Sequence, residues 1–298
     1  METIRVAAVS MNSLIGQTER NLTVMAEWCD RAAREKADLV VFPELVVHGH
    51  NTPNTWELAE LVPDGPSVQR IAGLAQRYGM VISFGLAEKE RDIVYNANVL
   101  VGPQGYIGKQ RKLHPSRDEV LFYKGGREIP VFDIGKCKVG VVICYDNWFS
   151  ELARTVALRG ADVILMPHAA REMQWDDTPE SEAAARRHIR DYYTSCYTMR
   201  ARENACFAVY TDQAGIGGYV DTYPRDHPNQ PHHPGAIIFF GPDGSVLQTA
   251  QAERIRDEMV VQDLDPRLLA VTRGHPNYTL RNRRPELYGE IVQNQVSW

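Results

Sequence analysis

The chain has few cysteines, no excess of basic charge and no long apolar run. Its five cysteines (Cys29, Cys137, Cys144, Cys196, Cys206) are odd in number and widely separated, and no two sit at metal-finger spacing. That argues against a disulfide scaffold or a zinc framework, and the expectation is reduced thiols in a cytoplasmic protein. Thirty-three Lys and Arg face 38 Asp and Glu, a net charge of −5. The basic face that nucleic acid or an anionic membrane needs is missing, so neither partner is expected. No apolar stretch reaches the roughly 20 residues that span a bilayer. Met1-Glu2-Thr3-Ile4-Arg5-Val6 lacks the charged and apolar regions of a secretory leader. Gly/Ser-rich linkers, repeats and low-complexity segments are also absent. The 298 residues therefore read as one domain, with about 274–298 as a C-terminal extension.

What is present is an alternation of strands and helices. Apolar runs at Ile4 to Ser10, Leu39 to Phe42, Met80 to Leu86, Ala97 to Val101, Lys138 to Ile143 and Val163 to Met166 read as strands. Four more follow, at Cys206 to Thr211, Gly235 to Phe240, Ser245 to Thr249 and Met259 to Leu264. Helices are predicted over Thr18 to Lys36, Ser67 to Tyr78 with Gly79 as its stop, Phe149 to Arg159 and Glu180 to Asn204. Short, continuously apolar strands imply sheets covered on their faces, and a hairpin at Gly135-Lys136 adds antiparallel pairing. The class is α/β. Asp221 to Pro234, rich in Pro and His, reads as a long loop of the kind that is often functional or mobile.

Three segments place a reactive side chain just past an apolar or basic run. Val40-Val41-Phe42-Pro43 leads to Glu44, Gln110-Arg111 precedes Lys112, and Val139 to Ile143 ends on Cys144. A cysteine where a strand turns into a helix sits beside fresh backbone N–H groups, which are expected to favour the thiolate nucleophile. Attack on an amide carbonyl needs a proton acceptor, charge for the oxyanion and a proton for the leaving nitrogen. Glu44, if desolvated, serves the first and third needs. Lys112 and the Tyr145 N–H serve the second. Glu119 can hold Lys112 or the substrate nitrogen in place. The bland alternatives are a core cysteine, a capping glutamate and a solvated lysine in the cluster Lys109 to Lys112.

The segments Phe42-Pro43-Glu44-Leu45, Arg111-Lys112-Leu113-His114 and Val142-Ile143-Cys144-Tyr145-Asp146 closely resemble the Glu–Lys–Cys signature of the nitrilase superfamily of carbon–nitrogen hydrolases. Arg200 to Asn204 and Phe240 to Gly244 extend the resemblance over nearly the whole chain. It implies a single-domain, nitrilase-like four-layer α-β-β-α sandwich. It also implies Glu44 as general base, Lys112 as oxyanion stabiliser, Cys144 as nucleophile and Glu119 as a second, positioning glutamate. A thioester intermediate, no metal or organic cofactor, and an even-numbered homo-oligomer formed across Phe149 to Arg159 and Glu180 to Asn204 are implied as well.

Tyr145, Trp148, His168 and His50 are expected to line the substrate pocket, with Met173 and Trp175 as a further wall. His50 stands where the family often carries an aromatic residue. The run Asp146-Asn147-Trp148-Phe149 looks like that of N-carbamoylputrescine amidases, which points to an amide or N-carbamoyl small molecule as substrate. Tyr145-Asp146-Asn147 departs from the Trp-Glu-Asn of nitrile hydrolases. Nitrile hydrolysis, a thioester-based acyltransferase and a catalytically silent binding protein are the competing readings. His227, His232 and His233 crowd one loop but fit no standard metal spacing.

Overall fold

The computed structural model describes residues 1–171, 175–176 and 178–293. The amino-terminal half contains β1 (Ile4–Ser10), α1 (Thr18–Arg34), β2 (Leu39–Val41), α2 (Thr55–Leu58) and α3 (Pro66–Tyr78), followed by β3 (Val81–Glu90), β4 (Ile93–Gly102) and β5 (Gly105–Arg111). Next come β6 (Val131–Asp133), β7 (Lys138–Val141), α4 (Ser150–Leu158), β8 (Val163–His168), α5 (Pro179–Arg202) and β9 (Phe207–Asp212). The chain closes with β10 (Ala214–Ile216), β11 (His232–Pro234), β12 (Ile237–Phe240), β13 (Val246–Thr249), β14 (Glu258–Leu264) and α6 (Pro266–Gly274).

One six-stranded sheet runs β14-β1-β2-β3-β4-β5 and a second β13-β12-β9-β8-β7-β6. At the heart of each, three strands are parallel: β1, β2 and β3 in the first, β7, β8 and β9 in the second. These central strands are buried on both faces, which is why their sequences read as unbroken apolar runs.

Three apolar clusters define the layers. Ile4, Val6 and Val41 of the first sheet pack against Val141, Leu165 and Val209 of the second, so the sheets stand face to face. The outer face of the first sheet packs on Leu22, Met25 and Cys29 of α1 and Val68 and Ile71 of α3. The outer face of the second packs on Leu152 and Val156 of α4 and Ile189 and Tyr193 of α5. The result is the four-layer α-β-β-α sandwich.

Several elements differ from their reading in the sequence. β5 pairs with β4 as an edge strand with one partly exposed face, so it lacks the apolar run that marks its neighbours. β4 starts four residues earlier than its apolar stretch because Asn96 and Asn98 interrupt it. α2 and α6 are short and carry too few apolar residues to declare themselves. The strand before the cysteine stops at Val141, and a 3-10 turn over Cys144–Trp148 stands between it and α4.

Candidate active site

The carboxyl ends of β2, β5 and β7 deliver the three side chains. After β2 the chain passes Phe42-Pro43 and reaches Glu44, whose N–H donates to the His168 carbonyl at 3.3 Å and whose own carbonyl accepts from Gln213 Nε2 at 2.7 Å. Gly85 on β3 makes this passage possible. A Cβ there would stand 2.2 Å from the Leu45 nitrogen and 2.8 Å from the Glu44 carbonyl carbon, so any side chain would push Glu44 away. Lys112 follows β5 directly, anchored by its N–H on the Asn96 carbonyl at 2.8 Å.

Cys144 has φ +46°, in the left-handed region that a non-glycine residue enters at a cost. Asn147 holds that turn by donating Nδ2 to the Val142 carbonyl at 2.8 Å and the Cys144 carbonyl at 3.1 Å. A bent backbone here tips the thiol out of the sheet toward the cavity. Asp146 ties the turn to the lysine segment, accepting the N–H groups of Leu113 at 3.1 Å and His114 at 2.9 Å.

Glu44, Lys112 and Glu119 form a buried cluster in which no member is more than 1% exposed. Lys112 Nζ lies 2.7 Å from Glu44 Oε1 and 2.6 Å from Glu119 Oε2. Asn96 Nδ2 adds 2.7 Å to Glu44 Oε1 and 3.0 Å to Glu119 Oε1. Ser116 caps Glu119 through both its N–H and its hydroxyl, at 2.8 and 2.9 Å. The second oxygen of Glu44 has no partner among the described residues.

Burial pushes the Glu44 carboxyl above its ordinary range, with the Glu119 charge adding to the effect and Lys112 opposing it. For Lys112, burial favours the neutral amine, but the charges of Glu119, Glu44 and Cys144 prevail and hold it protonated. The Cys144 thiol is pushed well above its usual value by burial and then by Glu44, against Lys112. The sequence expectation of a ready thiolate is therefore not met. The 3-10 turn is too short for a strong dipole, and two carboxylates outweigh one ammonium. The resting group is a thiol beside a carboxylate able to take its proton.

A cavity of about 420 Å³ opens over Cys144, lined also by Tyr145, Trp148, His50 and His168. His168 lies along it, but both its ring nitrogens are used, Nδ1 with the Met166 carbonyl at 3.0 Å and Nε2 with the Tyr197 hydroxyl at 2.9 Å. Tyr145 and Trp148 are partly exposed, their rings 6.2 Å apart. The Trp175 ring lies 5.8 Å from that of His232, tilted by 55°, and Met173 lies outside the described residues.

The expected loop over 221–234 ends earlier, where His232–Pro234 pair with β10 as β11, and it reaches the cavity wall through Asn229, whose carbonyl accepts from Arg171 at 2.6 Å. Gln230 pins that loop through Val220, Tyr223 and Pro224. Its histidines do not gather: His227 accepts from the Asn229 N–H, and His233 bonds the Ala170 carbonyl. The metal-like grouping is instead Glu44, His50 and Glu119, within 4.8 Å of one another, and the Lys112 ammonium already occupies both carboxylates.

Sequence reading passed over Asn96, Asp146 as a tether, Gly85, and the Arg171–Asp118 pair at 2.6 Å. An asparagine inside an apolar strand was the available signal for Asn96.

Fold and site together define an α/β enzyme of the nitrilase superfamily, with a Glu–Lys–Cys cluster at the strand ends. The chain belongs to the carbon-nitrogen hydrolase family, whose model matches residues 5–273. Members of this family act on amides and nitriles. The chain is 32% identical to a protein named nitrilase from Pyrococcus abyssi, over 96% of this chain and 99% of that one. It is 28% identical to an N-carbamoylputrescine amidase from Solanum lycopersicum, over 90% and 88% of the two chains. The crystal structure of a carbon-nitrogen hydrolase from Helicobacter pylori G27 superposes with a TM-score of 0.85 at 20% identity, covering 99% of this chain and 100% of that one. Among the described residues no helix is long and apolar enough to cross a membrane.

Proposed function

We propose that the protein hydrolyses the C–N bond of a linear amide or N-carbamoyl small molecule through a thioester on Cys144. The observation that carries this reading is a Cys144 thiol on the cavity wall that feels the charges of the buried Glu44–Lys112–Glu119 cluster behind it. As Sγ bonds the carbonyl carbon, its proton passes to Glu44, and Lys112 with the Tyr145 N–H stabilises the oxyanion. The C–N bond then breaks while Glu44 returns that proton to the departing nitrogen. Water, deprotonated by Glu44, splits the thioester, giving the acid and restoring the thiol. Glu119 holds Lys112 in place. The steps require no metal or organic cofactor.

Among the described residues lining the cavity the formal charges are those of Arg117 and Arg171. Arg171 is already paired with Asp118 at 2.6 Å. An even-numbered homo-oligomer across α4 and α5 belongs to the same proposal, with Leu158 and Met199 about half-exposed on those helices.

The test is ammonia release from purified protein against plain amides, N-carbamoyl amines, N-carbamoyl amino acids and nitriles, with Cys144→Ala as the blank. Turnover of amides or carbamoyl compounds that vanishes in the blank supports the proposal. Turnover of nitriles alone moves the protein to the nitrilase reading.

A further inference from the structure

His50 is buried, lines the cavity and has an Nδ1 with no partner among the described residues. Its Nε2 lies 3.8 Å from Glu119 Oε1. That neighbour draws the ring proton to Nε2 and leaves Nδ1 as an acceptor. Burial first, and then the positive charges of Arg171 and Lys112, keep the ring neutral. Glu44 presents a matching vacancy: Oε1 is used by Asn96 and Lys112, while Oε2 is unpartnered. A ring nitrogen of His50 and carboxylate oxygens of Glu44 and Glu119 all lie within 4.8 Å of one another.

Two buried acceptors on neighbouring residues, Nδ1 of His50 and Oε2 of Glu44, suit a group that offers two N–H donors. We propose that His50 is a specificity-determining residue that accepts an N–H of an unsubstituted –NH2 end group, with Glu44 taking the other. The protein is then selective for primary amides and for ureido compounds presented by their –NH2 end. Ammonia is the first product, and a ureido substrate leaves an N-substituted thiocarbamate on Cys144. This rests on the amide-hydrolase reading above. It goes beyond that reading by fixing which nitrogen departs and by assigning a role to the histidine found in place of an aromatic residue.

The experiment compares kcat/KM for a primary amide, its N-methyl amide and the methyl ester of the same acyl group, in wild type, His50→Phe and His50→Asn. A site that bonds a donor rejects analogues lacking it, so wild type should favour the primary amide over the N-methyl amide by about a hundredfold or more. His50→Phe should lower kcat/KM for the primary amide by roughly ten- to a hundredfold and leave the ester within about threefold. His50→Asn, whose oxygen can stand near the position of Nδ1, should recover most of the amide activity. Equal losses on amide and ester in both variants, or an unchanged amide rate in His50→Phe, would overturn the role of His50 alone. No turnover of any of the three compounds by wild type would overturn the hydrolase reading, and this proposal with it.

Discussion

Asp146 accepts both the main-chain N–H and the ring Nδ1 of His114, at 2.9 and 2.7 Å. The bonds join the turn that carries Cys144 to the segment that carries Lys112, although 32 residues separate the two partners. In the proposed mechanism, the attacking sulfur and the ammonium meant for the oxyanion are thus set relative to each other by one buried carboxylate. Asp146→Asn keeps the shape but offers only one oxygen acceptor to three donors. A displacement of about 1 Å at a reacting centre costs on the order of a hundredfold. The expected outcome is a fall in kcat of roughly ten- to a hundredfold with an unchanged circular dichroism spectrum.

Cys144 sits at φ +46°. Alanine and glycine at that position both remove the thiol and differ only in Cβ. The left-handed conformation costs a residue with Cβ about 1–2 kcal/mol. Cys144→Gly should therefore be more stable than Cys144→Ala by about 1 kcal/mol in urea unfolding, offset in part by glycine's greater chain entropy. Equal midpoints would show that the turn is unstrained. Both variants should be inactive.

Lys112 is the cation that Glu44 and Glu119 share. Lys112→Met keeps the volume but leaves two buried carboxylates side by side, and one of them must take up a proton. A stability loss of roughly 3–5 kcal/mol is expected for breaking such a cluster. A further loss of about 10²- to 10³-fold in kcat should follow from the missing oxyanion partner. Denaturant melts and initial rates on the same preparation separate the two effects.

Burial pushes the pKa of His168 and of His233 down to about 3. An unfolded histidine titrates near 6.5. Between these values the unfolded chain binds more protons than the folded one, so stability is full above about pH 6.5 and falls as the pH drops toward about 3. His168→Asn should flatten that slope while lowering stability at neutral pH through its lost hydrogen bonds. Urea midpoints at about pH 7, 5.5 and 4 measure it, and an unchanged slope would contradict the assignment.

The layered fold was legible because its central strands are apolar on both faces and its helices keep an inward stripe, as in Leu22, Met25 and Cys29. The motifs also singled out Glu44, Lys112 and Glu119, which the fold brings together, and Cys144, which feels their charges. What escaped depends on chain crossings that no local pattern records. Asn96 meets Glu44 across 52 residues and Glu119 across 23. Gly85 matters only because another segment crosses where a Cβ on it would stand. Edge strand β5 was hidden by its polar, glycine-containing sequence, yet it is the element that aims Lys112. The state of the thiol was misjudged for a similar reason. Its neighbours in sequence are backbone donors, whereas in space it is buried, with two carboxylates nearby.

The most direct measurement is acid quenching of the wild-type protein during turnover of a primary amide, followed by peptide mass spectrometry. A thioester mechanism requires an acyl group on the Cys144 peptide, heavier than the free thiol by the mass of the substrate less ammonia. Steady ammonia release with Cys144 unmodified, or release that persists in Cys144→Ala, would contradict it.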